Sequence, residues 1–237
     1  MRLVLFDIDG TLLLTGGIGQ NSAGVSLARV FGTAGRVDQI YPTGRTIEAI
    51  FEDTLVDAGF SREDYLLKRD ALYADFFAEF TSRLDRNEHQ IRSLPGAQRL
   101  VEILGQREGL ILGLTTGNHQ STARYKLRLA GFDLGLFKVG AYGDETTHRP
   151  DLVRLAHARA EEVSRQEISA SKTYVVGDTV RDVESARAFG AVSIAVATGM
   201  ADPDQLAAAS PDHLLPGLED TSAVLAIILG FANDQEE

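Results

Sequence analysis

The chain opens on an apolar run that ends in two acids, Arg2-Leu3-Val4-Leu5-Phe6-Asp7-Ile8-Asp9-Gly10-Thr11. The run from Leu3 to Phe6 has no polar alternation, which suits a strand covered on both faces, as in a parallel sheet. Ligand sites in such sheets lie beyond the carboxyl ends of the strands. Asp7 and Asp9 stand at that end, and Gly10 lets the chain turn sharply. Two carboxylates this close repel unless a cation or a shared proton offsets them. The pair therefore asks for a metal. It also offers a carboxylate nucleophile beside a second carboxylate that can move protons.

Four later segments read as further buried strands: Leu110 to Leu114, Phe137 to Ala141, Thr173 to Val176 and Val192 to Val196. Helical patterns separate them. Pro95-Gly96 precedes an amphipathic run with Leu100, Val101, Ile103 and Leu104. Asn118 is placed to cap the next helix, which Gly131 ends. Another helix is expected from about Asp151 to Val163. Strands alternating with helices predict an α/β fold with a doubly wound, parallel, Rossmann-like sheet of five strands.

The stretch 16–91 breaks this rhythm, because no convincing strand occurs in it. Val25, Leu27, Ala28 and Phe31 suggest one helix. Ile47, Ile50, Phe51, Leu55 and Val56 suggest a second, and Tyr73, Phe76, Phe77, Phe80 and Leu84 a third. The aromatic stripe is expected to pack a small core of its own. The stretch reads as a helical domain inserted into a core made of 1–15 and 92–237, with Gly16, Gly17 and Gly19 as a flexible entry. The polar end, Asn233 to Glu237, is expected to fray.

Composition narrows the function. With 23 basic and 34 acidic residues the formal charge is −11, which argues against a general nucleic-acid or anionic-membrane surface. An anionic substrate then needs cations placed locally. The chain has no cysteine, so thiolate catalysis, thiolate zinc sites and disulfides are excluded. Asp7 comes too early for a signal peptide. The late apolar stretch Val224 to Phe231 is far short of the ~20 residues of a spanning helix. A cytoplasmic protein is the expectation.

Three other element ends carry unusual residues. Thr115-Thr116-Gly117-Asn118 places a hydroxyl, a glycine and a helix start together, which suits either a phosphate-binding corner or a simple helix cap. Gly177-Asp178-Thr179-Val180-Arg181-Asp182 repeats the opening logic, a buried strand running into a carboxylate. Asp178 can complete an all-oxygen Mg²⁺ site, and Asp182, one helical turn on, can face it. Arg149-Pro150 opens the preceding helix, where a cation could neutralise both a nucleophile and a phosphate. The five histidines show no ligand spacing, and His148 is the one expected near the site.

In this order and at these element ends, the residues resemble the haloacid dehalogenase-like superfamily across nearly the whole chain. Asp7-Ile8-Asp9-Gly10-Thr11-Leu12 is the specific motif. Gly177-Asp178-Thr179 with Asp182 supports it, and Thr116-Gly117-Asn118 adds to it. The resemblance implies that the first strand is central, flanked by the second and fourth, and that the insert is an all-helical C1-type cap. The family's third motif commonly carries a lysine, often before proline. Arg149 stands at that point, with Lys138 as the other candidate; arginine keeps the charge and adds a bidentate fork.

The resemblance further implies phosphoryl transfer, with phosphoglycolate phosphatase-like enzymes as the comparison. Asp7 would attack phosphorus, and Asp9 would serve as acid and base. Asp7, the Asp9 carbonyl and Asp178 would hold Mg²⁺, with Asp182 behind them orienting Arg149 or a water. Thr116, Gly117, Asn118 and Arg149 would hold the phosphate oxygens, and Arg45, at the start of an insert helix in Pro42-Thr43-Gly44-Arg45-Thr46, would reach the substrate. The expected substrate is a small phosphorylated metabolite, with no nucleic-acid or membrane partner, and the protein is expected as a monomer or homodimer. A phosphomutase of the β-phosphoglucomutase type shares all the core residues and is the alternative. Dehalogenation needs no metal and no Asp9, phosphonate cleavage departs from a second aspartate in the first motif, and intact Asp7, Asp9 and Asp178 argue against a catalytically silent binding protein.

Overall fold

The computed structural model describes residues 1–40, 44–86 and 90–230. The chain begins with β1 (Arg2–Phe6) and the short β2 (Leu13–Leu14). Helices α1 (Ile18–Phe31), α2 (Val37–Ile40), α3 (Ile47–Asp57) and α4 (Arg62–Asp85) follow, and β3 (Arg92–Ser93) then returns to pair antiparallel with β2. From there helices and strands alternate: α5 (Ala97–Gly105), β4 (Leu110–Thr116), α6 (Gln120–Leu129), β5 (Phe137–Tyr142), α7 (Pro150–Ser164), β6 (Thr173–Gly177), α8 (Val180–Phe189), β7 (Val192–Val196), α9 (Pro203–Ala208), β8 (His213–Leu215) and α10 (Thr221–Leu229).

The main sheet runs β5-β4-β1-β6-β7-β8, and every pair in it is parallel. β1 is central, between β4 and β6, as the resemblance implied. Its side chains alternate between two apolar layers. Val4 and Phe6 join Leu100, Leu104, Leu127 and Val224 on one face. Leu3 and Leu5 join Leu152, Val153, Ala156 and Ala186 on the other. Burying a Leu or Phe of this kind contributes roughly 1.5–3 kcal/mol, which explains why the run Leu3 to Phe6 carries no polar residue.

The sheet has six strands rather than the expected five. The extra strand, β8, is three residues long and lies at the edge beside β7. A run this short shows no periodicity to read. It is fixed by a side chain instead, because the Asp212 carboxylate accepts from the Ser193 amide at 2.8 Å and the Ser193 hydroxyl at 2.7 Å.

The block between β2 and β3 is helical among its described residues. Thr46 caps α3, and a reciprocal Ser61/Asp64 box starts α4. Leu27, Phe51, Leu55, Tyr65, Leu72 and Phe76 form its core. The aromatic stripe divides, contrary to expectation. Phe77 turns to the Tyr125 ring of α6, with centroids 5.8 Å apart, and Val56 is exposed. Pro42, Thr43 and the tail Asn233 to Glu237 lie outside the described residues. Among the described residues, no helix is long and apolar enough to cross a membrane.

Candidate active site

Because β4, β1 and β6 are parallel neighbours, their carboxyl ends open on the same side of the sheet. Thr116 ends β4, Asp7 and Asp178 follow β1 and β6, and all three are buried. Gly10 has φ +81°, and any side chain there would overlap the Asp178 carboxylate. The glycine in Asp-x-Asp-Gly thus serves twice, for the left-handed turn and for the close approach of β6's acid. Thr11 completes the contact, its hydroxyl donating to Asp178 Oδ1 at 3.0 Å.

Carboxylate oxygens of Asp7, Asp178 and Asp182 lie within 4.8 Å of one another. Asp182 is held by the first turn of α8, where its Oδ2 accepts from the Thr179 amide at 3.0 Å and hydroxyl at 2.6 Å. Arg149, just before α7, is buried among these acids. Its Nη2 lies 3.0 Å from Asp7 Oδ2 and 2.6 Å from Asp182 Oδ1, and its Nη1 donates to the Gly44 carbonyl at 3.0 Å. One fork therefore ties β1, α8 and the insert together. Lys138 does not compete for this role, since its ammonium donates to the Gly135 carbonyl at 2.6 Å at an exposed position.

One guanidinium does not balance three buried carboxylates. Burial, opposed by Arg149 but reinforced by Asp182 and Asp9, pushes the Asp7 carboxyl up to about 6. Burial and the nearby Asp7 charge raise Asp178 well above the ordinary carboxylate range. Burial works against the Arg149 guanidinium, but Asp182 and Asp7 outweigh it and raise it.

Asp9 has a different environment. Its Oδ2 accepts from Lys126 Nζ at 2.7 Å and Asn118 Nδ2 at 2.7 Å, and its Oδ1 from the Thr15 hydroxyl at 3.1 Å. Burial alone would raise this carboxyl; the Lys126 charge and these hydrogen bonds outweigh it and hold it below its usual value. Two acids two residues apart are thus set to opposite sides of the ordinary range by separate partners.

Asn118 is not the helix cap. His119 caps α6, its Nδ1 accepting from the Ser121 amide at 3.1 Å. The Asn118 amide is engaged by Asp9, by Lys126 and by the Thr116 hydroxyl at 2.7 Å. Sequence reasoning missed Lys126. The available signal was position: with Ala123 and Leu127 it falls on the buried face of α6, where a solvated lysine has no place. His148 is exposed and pairs with Asp151, whereas His119 lines the cleft.

The helical block between β2 and β3 reaches these groups through the start of α3. The first free amides of α3 are taken by core loops, Ile47 N donating to Gly117 O at 2.8 Å and Glu48 N to Gly143 O at 3.0 Å. A side chain on Gly117 would overlap the Arg45 carbonyl, so the second residue of Thr116-Gly117-Asn118 must be bare for the insert to dock. Arg45 lines the cleft, but its guanidinium pairs with Asp53 of α3, the helix that begins just after it. The cleft measures about 440 Å³, and Ile50, Phe76 and Met200 line it together with Asp7, Asp9 and Asp178.

The donor set fits a divalent cation. It is all oxygen, buried, and when fully ionised carries two negative charges beyond what Arg149 neutralises. Because Asp7 holds a proton in the folded chain that the unfolded chain has already lost, metal-free stability should fall as pH rises from about 4 to about 6. A cation needs the ionised form. Mg²⁺ at a hundredfold excess over its Kd should raise Tm by about 5–10 °C near neutral pH and by much less near pH 5. Asp178→Asn should remove the shift. An equal shift at both pH values, or in the variant, would contradict this cation site.

A family model described as haloacid dehalogenase-like hydrolase matches residues 4–196. Pyrophosphatase PpaX of Oceanobacillus iheyensis is 24% identical over 242 residues, covering 95% of this chain and 97% of its own. A phosphoglycolate phosphatase of Synechococcus elongatus is 31% identical over 125 residues, 53% of this chain and 55% of its own. The solved structure of a hydrolase from Pseudomonas syringae has the same fold, with TM-score 0.69 and 21% identity over 96% of this chain and 99% of that one.

Proposed function

The chain belongs to the haloacid dehalogenase-like hydrolase family, and from that premise we propose that it is a Mg²⁺-dependent phosphatase acting on a small phosphorylated metabolite. The observation that carries this reading is the division between the two acids. Asp7 sits with Arg149, Asp178 and Asp182, while Asp9 is held apart by Lys126, Asn118 and Thr15. That is the separation a nucleophile and a proton carrier require. The names of two relatives, a pyrophosphatase and a phosphoglycolate phosphatase, support a phosphate substrate.

In this scheme the Asp7 carboxylate attacks phosphorus and the leaving oxygen departs, giving an aspartyl-phosphate. Asp9 gives that oxygen a proton. Water then attacks the phosphoryl group, Asp9 recovers a proton from it, and phosphate and free Asp7 result, so the protons balance over one turnover. A dianionic phosphate beside Asp9 favours its protonated form and works against Lys126 in the first step. Thr116, the Gly117 amide, Asn118 and Arg149 orient the phosphate oxygens. Asp7, the Asp9 carbonyl and Asp178 would hold Mg²⁺, which supplies charge neutralisation to the transferring group. Asp182 keeps Arg149 in place.

Residues 16–91 act as the cap and residues 1–15 and 92–237 as the catalytic core. The cap excludes stray water and selects the leaving group, with Arg45 released from Asp53 toward the substrate. We place the protein in the cytoplasm as a monomer or homodimer. A phosphate-release screen over phosphoglycolate, sugar phosphates, pyrophosphate and nucleotides tests the reading. Mg²⁺-dependent release from one class without an added acceptor is expected. No release anywhere, or activity undiminished in EDTA, contradicts it; turnover only with a sugar bisphosphate would instead establish a phosphomutase.

A further inference from the structure

We propose that Lys126 is a positioning residue that aims the Asp9 carboxyl at the substrate and links that aim to closure of the helical insert. The proposal rests on Asp9 being the acid and base of phosphoryl transfer.

Lys126 is buried on α6, and both of its hydrogen-bond partners belong to the site. A buried ammonium is costly unless paired, and a buried pair is weak evidence of a stabilising role, because an apolar residue of similar volume commonly serves as well. Neighbouring Ala123 and Leu127 show what a purely structural residue on this face looks like. What an apolar residue could not do is set direction. An ammonium is only a donor. Its 2.6 Å contact therefore takes the Asn118 carbonyl oxygen, and this turns the Asn118 Nδ2 toward Asp9 and Thr116. The same ammonium holds Asp9 Oδ2 at 2.7 Å. One lysine thus orders the ends of β1 and β4 relative to each other, while the Asp9 side chain stays 37% exposed.

The third contact comes from the insert. The Lys126 ammonium lies 5.6 Å from the ring centroid of Phe80 on α4. The ring covers the ammonium only when α4 lies against α6. Closing the insert therefore removes water from the lysine and strengthens its hold on Asp9.

The test is the leaving-group dependence of kcat/KM, which reports steps up to departure of the leaving group. p-Nitrophenyl phosphate loses its phenolate without a proton, whereas ethyl phosphate needs one. Lys126→Met should lower kcat/KM on ethyl phosphate by ~10²-fold and on p-nitrophenyl phosphate by less than ~10-fold. In an Asp9→Asn background it should add almost nothing, since it acts through Asp9. Phe80→Leu, which leaves the ion pair in place, should give a smaller loss of the same selectivity and serves where Lys126→Met fails to fold. Equal losses on both esters, an undiminished effect in the Asp9→Asn background, or a gain on ethyl phosphate would overturn the proposal. A wild-type protein that releases phosphate neither from these esters nor from any compound of the metabolite screen would overturn the phosphatase reading itself.

Discussion

Asp7→Asn is expected to lower phosphate release by at least ~10³-fold, because the substitution removes the attacking atom pair and nothing nearby replaces it. Asp178 and Asp182 are close, but Asp178 accepts from Thr11, while Asp182 is tied to Thr179 and Arg149. The loss can be separated from misfolding. Asparagine has almost the shape of aspartate, and the backbone at residue 7 is fixed by its amide donating to Val176 O at 2.9 Å. Removing one of three crowded acids also removes a buried charge and its repulsion with the neighbouring acids, which together push Asp7 up. The metal-free variant should therefore melt no lower than wild type. Near-normal turnover in a folded variant would refute the nucleophile.

Arg149→Ala is expected to be the most destabilising substitution in the site. It strips a donor from Asp7, Asp182 and the Gly44 carbonyl together, all in a buried cluster already short of positive charge. Removing one partner of such a buried pair costs about 3–5 kcal/mol, so metal-free Tm should fall by about 10 °C or more. Mg²⁺ should recover part of that loss. Catalysis should suffer independently, with kcat/KM down ~10²-fold or more from poorer handling of the phosphate. Arg149→Lys restores the charge but cannot bridge two carboxylates and a carbonyl on three elements, so it should recover stability better than activity. Thermal melts and steady-state kinetics check both parts; unchanged values in the alanine variant would contradict the assignment.

The sequence carried most of the architecture because buried parallel strands leave a pattern that few other structures share. Leu3 to Phe6 could be covered on both faces only at the centre of a sheet, and the acids following β1 and β6 then had to meet. β8 escaped because it is three residues long and held by Asp212. Asn118 reads in the sequence both as a helix cap and as a residue of the phosphate corner, because the residue types that cap helices are also those that bridge site groups, and only the neighbours decide. Lys126 was passed over because charge in a helix usually marks a solvated face. Phe77 looked like insert core because periodicity shows which face is apolar, not which body it meets. Arg45 was legible as a cleft residue, but its pairing with Asp53 depends on the helix phase of α3.

The central claim, that Asp7 itself carries the phosphoryl group, is most directly tested by quenching the protein during turnover with Mg²⁺ and substrate, then reducing with borohydride and mapping peptides. An aspartyl-phosphate is reduced to homoserine under these conditions. The account predicts homoserine at residue 7, only when substrate is present and never in Asp7→Asn. Rapid phosphate release with residue 7 unmodified, or modification at Asp178 or Asp182 instead, would contradict it.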